Sequence, residues 1–166
     1  MNAINLKCEY LINPIGIDIQ KTHLMWNCEN GIKQTAYQIV AKSDNKIVWD
    51  SGKVISSSMN VEFPFVLSSR QKVEWNIKLW DENNQEGEIS KSAFFEMGLL
   101  SINDFNAKWI SGNYHVNKNK RYPVDCFKKT FNVKDIVKAR LYITSCGLYE
   151  VKINGYRVGD FVLAPG

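Results

Sequence analysis

Histidine is nearly absent from this chain: His23 and His115 are the two in 166 residues. Imidazole is the side chain that titrates near neutral pH, so acid–base catalysis has few candidates to draw on. His23 opens an apolar run and His115 sits in a basic stretch, and both read as surface residues. Cysteine is sparse too, at positions 8, 28, 126 and 146. None falls in a C-x-x-C pair or at zinc-finger spacing from a histidine, so no metal site is expected. Cys8 and Cys28 fall on consecutive predicted strands, where a disulfide has room to form. The compartment argues instead for free thiols that behave as small hydrophobes. The start, "MNAINLKCEYLINP", lacks a basic segment followed by an apolar one, which predicts no signal peptide and a cytoplasmic location. No apolar run approaches the ~18 residues of a membrane span, so no membrane partner is expected.

Sequence motifs for chemistry are missing as well. There is no G-x-S-x-G elbow, P-loop, G-x-G-x-x-G, EF-hand loop or H-E-x-x-H, and no N-x-Ser/Thr sequon. The acidic pairs at Asp81-Glu82 and Glu86–Glu88 lie in a turn and read as solubilising charge. No catalytic residue and no cofactor is expected.

What is present is charge asymmetry and β pattern. Residues 1–98 carry 10 Lys/Arg and 12 Asp/Glu, net −2, whereas residues 99–166 carry 11 and 5, net +6. A basic half suits nucleic acid or another anionic surface. Here the cations are spread through strand-like segments plus one loop, "NKNKR" (117–121), with no nucleic-acid motif, so no nucleic-acid partner is expected.

Short runs rich in Val, Ile, Tyr, Phe and Trp recur between turn signals. Strands are predicted over 5–11, 23–28, 34–43, 46–54 and 88–98, with "NPIG" (13–16) as a turn region. The clearest strand runs through 72–80. Val73, Trp75, Ile77 and Leu79 alternate with Lys72, Glu74, Asn76 and Lys78, which puts one face in a core and the other in water. About seven such strands suit one fibronectin-III-like or immunoglobulin-like sandwich over 1–98. Trp75 belongs to the apolar phase and to the core. Trp80 ends the strand on the opposite phase, where it covers a domain junction or meets a ligand.

After Gly98, "LLSINDFN" (99–106) opens a connector with enough apolar groups to pack rather than hang free. Beyond it the β pattern resumes. Strands are predicted over 126–133, 138–147 and 148–153, then a type I′ turn at Asn154-Gly155 and a returning strand. Residues 107–166 hold too few strands to build both sheets of a sandwich. They are therefore expected to expose an apolar face and an unpaired edge, covered by another copy of the chain or by the first domain.

Seven segments in order carry a family likeness: "CEYLINPIGIDIQKTHLMW", "QTAYQIVAKS", "WDSGKV", "WNIKLWDENNQ", "FEMGLL", "DFNAKWI" and "KARLYITSCGLYEVKINGYRVGDFVLAPG". Together they resemble the N-terminal region of bacterial α-L-rhamnosidases, from Leu6 to Gly166. The chain departs from the family's Pro-Arg-Leu-Ser-Trp with Thr22-His23-Leu24-Met25-Trp26, and residues 112–125 match little.

The resemblance implies an all-β architecture: a fibronectin-III-like sandwich (1–98), a connector (99–106), and the first strands of a second, jelly-roll-like sandwich (107–166). It also implies a following α/α-barrel catalytic domain as partner and a rhamnoside carbohydrate as the parent's substrate, cleaved with inversion. The two carboxylates of that chemistry belong to the barrel, so none of the acids here inherits the role. Two other functions compete. A carbohydrate-binding module would use exposed aromatics, Trp80 or Tyr114, on a sugar face. A free-standing interaction module would use the sandwich itself.

Overall fold

The computed structural model describes residues 1–165, without the side chain of Pro165. Gly166, the last residue of the expected second sandwich, lies outside them. The chain divides into two units, Met1–Trp109 and Ile110–Gly166.

The first unit holds nine strands: β1 (Asn2–Cys8), β2 (Ile15–Ile17), β3 (His23–Glu29), β4 (Ala36–Ser43), β5 (Lys46–Asp50), β6 (Val54–Ile55), β7 (Asn60–Glu62), β8 (Lys72–Trp80) and β9 (Ala93–Met97). They form two sheets. One has three strands in the order β1-β3-β7. The other runs β2-β9-β8-β4-β5, with β6 also paired to β4. The long ladder is β4 against β8, antiparallel, from Ala36 opposite Trp80 to Lys42 opposite Glu74.

Alternation dictates what this ladder buries. Ile39 and Ala41 of β4, and Val73, Trp75, Ile77 and Leu79 of β8, all point inward and are buried. Phe95 of β9 joins them, with Leu24 and Trp26 of β3 from the facing sheet. Phe63 packs edge-to-face against Trp49 and Phe95, at centroid distances of 5.5 and 5.7 Å, a favoured aromatic geometry. The Trp75 indole N–H has no acceptor in this core, so the ring is held by burial alone.

Two strands had no sequence signature. β2 is three residues long and pairs in parallel with β9. It contains Gly16 at φ 88° within the region expected as a turn. A side chain at Gly98 would meet the Gly16 carbonyl at 3.2 Å, so glycine there permits the close β2–β9 approach. β7 is equally short. The predicted strand 46–54 is divided into β5 and β6, with Gly52 at φ 59° between them. β1 carries a bulge between Ile4 and Lys7, with Asn5 at φ 52°, and asparagine tolerates that conformation.

The connector is tied to the first unit. Ser101 caps a 3₁₀ turn at Ile102–Asp104 in a reciprocal capping box. The Asp104 carboxylate also accepts from the Ser69 hydroxyl, and Ser69 Oγ accepts from Leu100 N at 2.8 Å. Arg70 donates to the Asp104 carbonyl at 2.8 Å.

The second unit departs from expectation. Residues 126–133 and 138–147 form no strand. Regular pairing is confined to β10 (Leu148–Tyr149) with β13 (Ala164–Pro165), and β11 (Lys152–Ile153) with β12 (Tyr156–Arg157). The β11–β12 turn is the expected one, with Asn154 at φ 51° and Gly155 at φ 86°. None of the unit's described residues is buried. Phe131, Val137, Tyr156 and Phe161 are exposed, and no layer within the unit's own described residues covers its apolar side chains. The physical reason is common to both observations. A strand is stable only when a neighbour takes its backbone hydrogen bonds and a second layer takes its apolar face.

Replacing Ile77 with alanine removes a fully buried side chain at the centre of the ladder. The expected loss is about 2–5 kcal/mol of unfolding free energy, measured by urea titration followed through tryptophan fluorescence.

Candidate functional site

The two candidate aromatics lie in different units and in different environments. Trp80 ends β8 and is only 8% exposed. The Lys53 ammonium stands 4.5 Å from its ring centroid and that of Lys78 5.8 Å away. Lys53 is held there by Asn84 Oδ1 at 2.6 Å, and Lys78 by Glu86 at 3.4 Å. The ring face is thus occupied by two lysine ammonium groups, which a stacking sugar would have to displace. Phase alone had suggested exposure. What it lacked was the length of the lysine stems, which fold over an aromatic face.

Tyr114 is 44% exposed and stacks on Tyr122 at 4.9 Å and 14°. Its hydroxyl donates to Asp125, 3.1 and 3.0 Å from the two carboxylate oxygens. That hydrogen bond is the main reason its ionisation moves above the ordinary tyrosine range, because the anion would face a carboxylate.

A cavity of about 370 Å³ lies at the end of β3. It is lined by Met1, Cys28, Lys33, Gln34 and Met59 among others. A neighbouring cavity of about 290 Å³ shares Asn27 and Met59. Gln34 organises the first. Its side-chain oxygen accepts from Trp26 Nε1 at 2.8 Å and from the Cys28 thiol at 3.4 Å. Its amide donates to the carbonyls of Ser56 and Ser58 at 3.1 and 2.9 Å. Every polar atom of this side chain is used to join β3 to the 56–58 segment. No carboxylate lines either cavity, and burial pushes the Cys28 thiol upward, away from the nucleophilic thiolate. The cavity has the chemistry of a structural joint.

His23 sits beside Glu9, whose Oε1 accepts from the His23 backbone N–H at 2.5 Å and faces Nδ1 at 3.2 Å. This pair anchors the start of β3 to the end of β1. His115 belongs to the 112–125 loop, where its carbonyl accepts from the Tyr122 hydroxyl. Among the described residues, no cluster of three His, Cys, Asp or Glu could hold a metal, and no helix is long and apolar enough to cross a membrane.

All four cysteines are free. Cys8 lies opposite Leu24 and Cys28 opposite Ala3, so the two thiols occupy opposite ends of the β1–β3 ladder and do not face each other. The two strands do pair, with the short β2 between them in sequence, and the antiparallel register separates the thiols.

The first unit defines an immunoglobulin-class β-sandwich. Comparison gives the particular family. The description "Rha78A-like, N-terminal immunoglobulin domain" matches residues 3–101, and "Alpha-L-rhamnosidase N-terminal domain" matches residues 134–166. The chain belongs to the first of these families. An α-L-rhamnosidase of Formosa agariphila is 37% identical over 93% of this chain, and one from Alteromonas sp. is 32% identical over 95%. In each case the chain spans 19% of the relative's length. The native α-L-rhamnosidase structure from Aspergillus terreus aligns with 99% of this chain at TM-score 0.76 and 25% identity, over 20% of its own length. The α-L-rhamnosidase structure from Dictyoglumus thermophilum aligns with 69% of the chain at TM-score 0.62 and 33% identity, over 14% of its length.

Burial pushes the Cys8 thiol from 9.0 up to about 12, with Glu9 adding to the effect. The folded pKa lies above the unfolded one, so stability is full below pH 9 and falls as pH rises toward 12. In that window the unfolded chain has lost a proton that the folded chain keeps. The unfolding free energy should therefore drop by about 1.4 kcal/mol per pH unit from this group. Urea titrations of wild type and Cys8→Ala between pH 8 and pH 11 (about the range stable to base) should show the extra slope only in wild type.

Proposed function

We propose that this chain is the non-catalytic N-terminal part of an α-L-rhamnosidase, and that its work is to pack against the catalytic domain of the same polypeptide. One observation carries the reading. None of the second unit's described residues is buried, yet the unit contains the stretch matched to the rhamnosidase N-terminal domain. Strands with exposed apolar side chains and few backbone partners require completion by further strands. The relatives are about five times longer than this chain, which is ample for the rest of the sandwich and an α/α-barrel.

Catalysis then belongs to that barrel. Inverting hydrolysis needs a carboxylic acid on the leaving oxygen and a carboxylate on water, roughly 6.5–9.5 Å apart. Neither of the two cavities described above has a carboxylate in its lining. The first unit contributes a packed sandwich with a capped turn at Ile102–Asp104.

Purified chain should give no turnover of an aryl α-L-rhamnoside, whereas a longer polypeptide carrying it should release rhamnose with inverted anomeric configuration by NMR. Turnover by the 166-residue chain would overturn the assignment.

Isolated, the chain should also self-associate through its exposed second unit. Light scattering should show a mass rising with concentration, and a chain ending at residue 109 should stay monomeric at the same concentrations.

A further inference from the structure

Residues 112–125 lie between the two matched stretches and are covered by neither. They nevertheless form a closed loop. At the neck, Gly112 N and the Tyr114 hydroxyl both donate to the Asp125 carboxylate. Above it, the Tyr122 hydroxyl donates to the His115 carbonyl at 3.2 Å and accepts from Asn117 N at 2.7 Å. Lys120 N closes the tip on the Asn117 carbonyl at 3.0 Å. A loop with adjoining ends, packed by its own side chains, is an Ω-loop, a class that is often functional.

The chemistry of this loop is one-sided. Lys118, Lys120 and Arg121 at its tip are exposed, and no carboxylate forms an ion pair with them among the described residues. The loop's one acid, Asp125, is engaged at the neck. The same loop carries the stacked tyrosine pair, with 44% of Tyr114 and 38% of Tyr122 exposed. Both hydroxyls are hydrogen-bonded, so the rings are held in place before any ligand arrives, and stacking on them costs little further side-chain entropy.

We propose that the 112–125 loop binds an anionic glycan. A pyranose ring lays its C–H face on the exposed tyrosine surface, and its carboxylate or sulfate pairs with Lys118, Lys120 and Arg121. The guanidinium offers the fork that matches either oxyanion. The choice of a glycan over other polyanions rests on the reading of the chain as part of a rhamnosidase. Nucleic acid meets the same cations, and the test below separates the two.

The probes are polygalacturonate for carboxylate, dextran sulfate for sulfate, unmodified dextran, and single-stranded DNA, applied to the full 166-residue chain in affinity electrophoresis. Polygalacturonate or dextran sulfate should retard the chain and dextran should not. The charged probe that binds identifies the oxyanion. The variant K118A/K120A/R121A should bind about tenfold more weakly, with a shallower dependence on salt. Tyr114→Ala should weaken binding with the salt dependence unchanged. Both variants should keep the wild-type melting of the sandwich, since none of the altered side chains is buried. Three results would overturn the proposal: no retardation by either charged glycan, retardation unaffected by the substitutions, or DNA bound as tightly as the glycans. Because the measurement needs no catalysis, it fails or succeeds separately from the rhamnoside assay.

Discussion

The β4–β8 ladder is the constraint on which the first unit depends. Seven consecutive pairs, from Ala36 with Trp80 to Lys42 with Glu74, fix one register. In that register every second side chain enters the core. A shift of one residue would send Trp75, Ile77 and Leu79 to water and bring Glu74, Asn76 and Lys78 inside. The cost of such a slip, several buried side chains at about 1.5–3 kcal/mol each, exceeds the stability of a typical domain once charge burial is added. The other strands align on this pair. β9 extends β8 on one side, β5 and β6 extend β4 on the other, and the three-stranded sheet closes over the buried face.

The same physics explains why the second unit is different. Its sequence alternates as well as that of the first: Leu141 and Ile143 stand against Arg140 and Tyr142, and Tyr149, Val151 and Ile153 against Glu150 and Lys152. Alternation records which face would be buried if a partner were there, and says nothing about whether one is. Where the partner is a two-residue turn away, as across Asn154-Gly155, the pairing forms. Where it must come from elsewhere, residues 126–133 and 138–147 remain without regular structure. The predicted strands there were sound as pattern and lacked their neighbours.

Legibility followed the length of each element. β3, β4 and β8 could be read to within about two residues from their alternation, whereas β1, expected over 5–11, lies at Asn2–Cys8, where a bulge between Ile4 and Lys7 breaks the period. β2 and β7 were invisible, since three residues carry no period, and the parallel pairing of β2 leaves no turn signal. The all-β class and the sandwich needed only the long strands. The candidate aromatics were less legible. Trp80 could be singled out by type and phase and Tyr114 by type alone, but their partners come from distant positions: Lys53 lies 27 residues before Trp80, and Asp125 lies 11 after Tyr114. The role of Gln34 was missed altogether. A lone glutamine has no sequence signature, and only the convergence of Trp26, Cys28, Ser56 and Ser58 reveals it.

The capped turn at Ile102–Asp104 has a mechanical consequence. Asp104 grips Ser69 and Ser101 together, and Arg70 holds the Asp104 carbonyl. Tension applied to the chain beyond residue 105 therefore loads these hydrogen bonds, and the segment before β8, ahead of the β8–β9 ladder. The turn acts as a strain relief at the exit of the sandwich. Whatever pulls or twists farther along the polypeptide is met at a surface serine before it can peel β9 from the core.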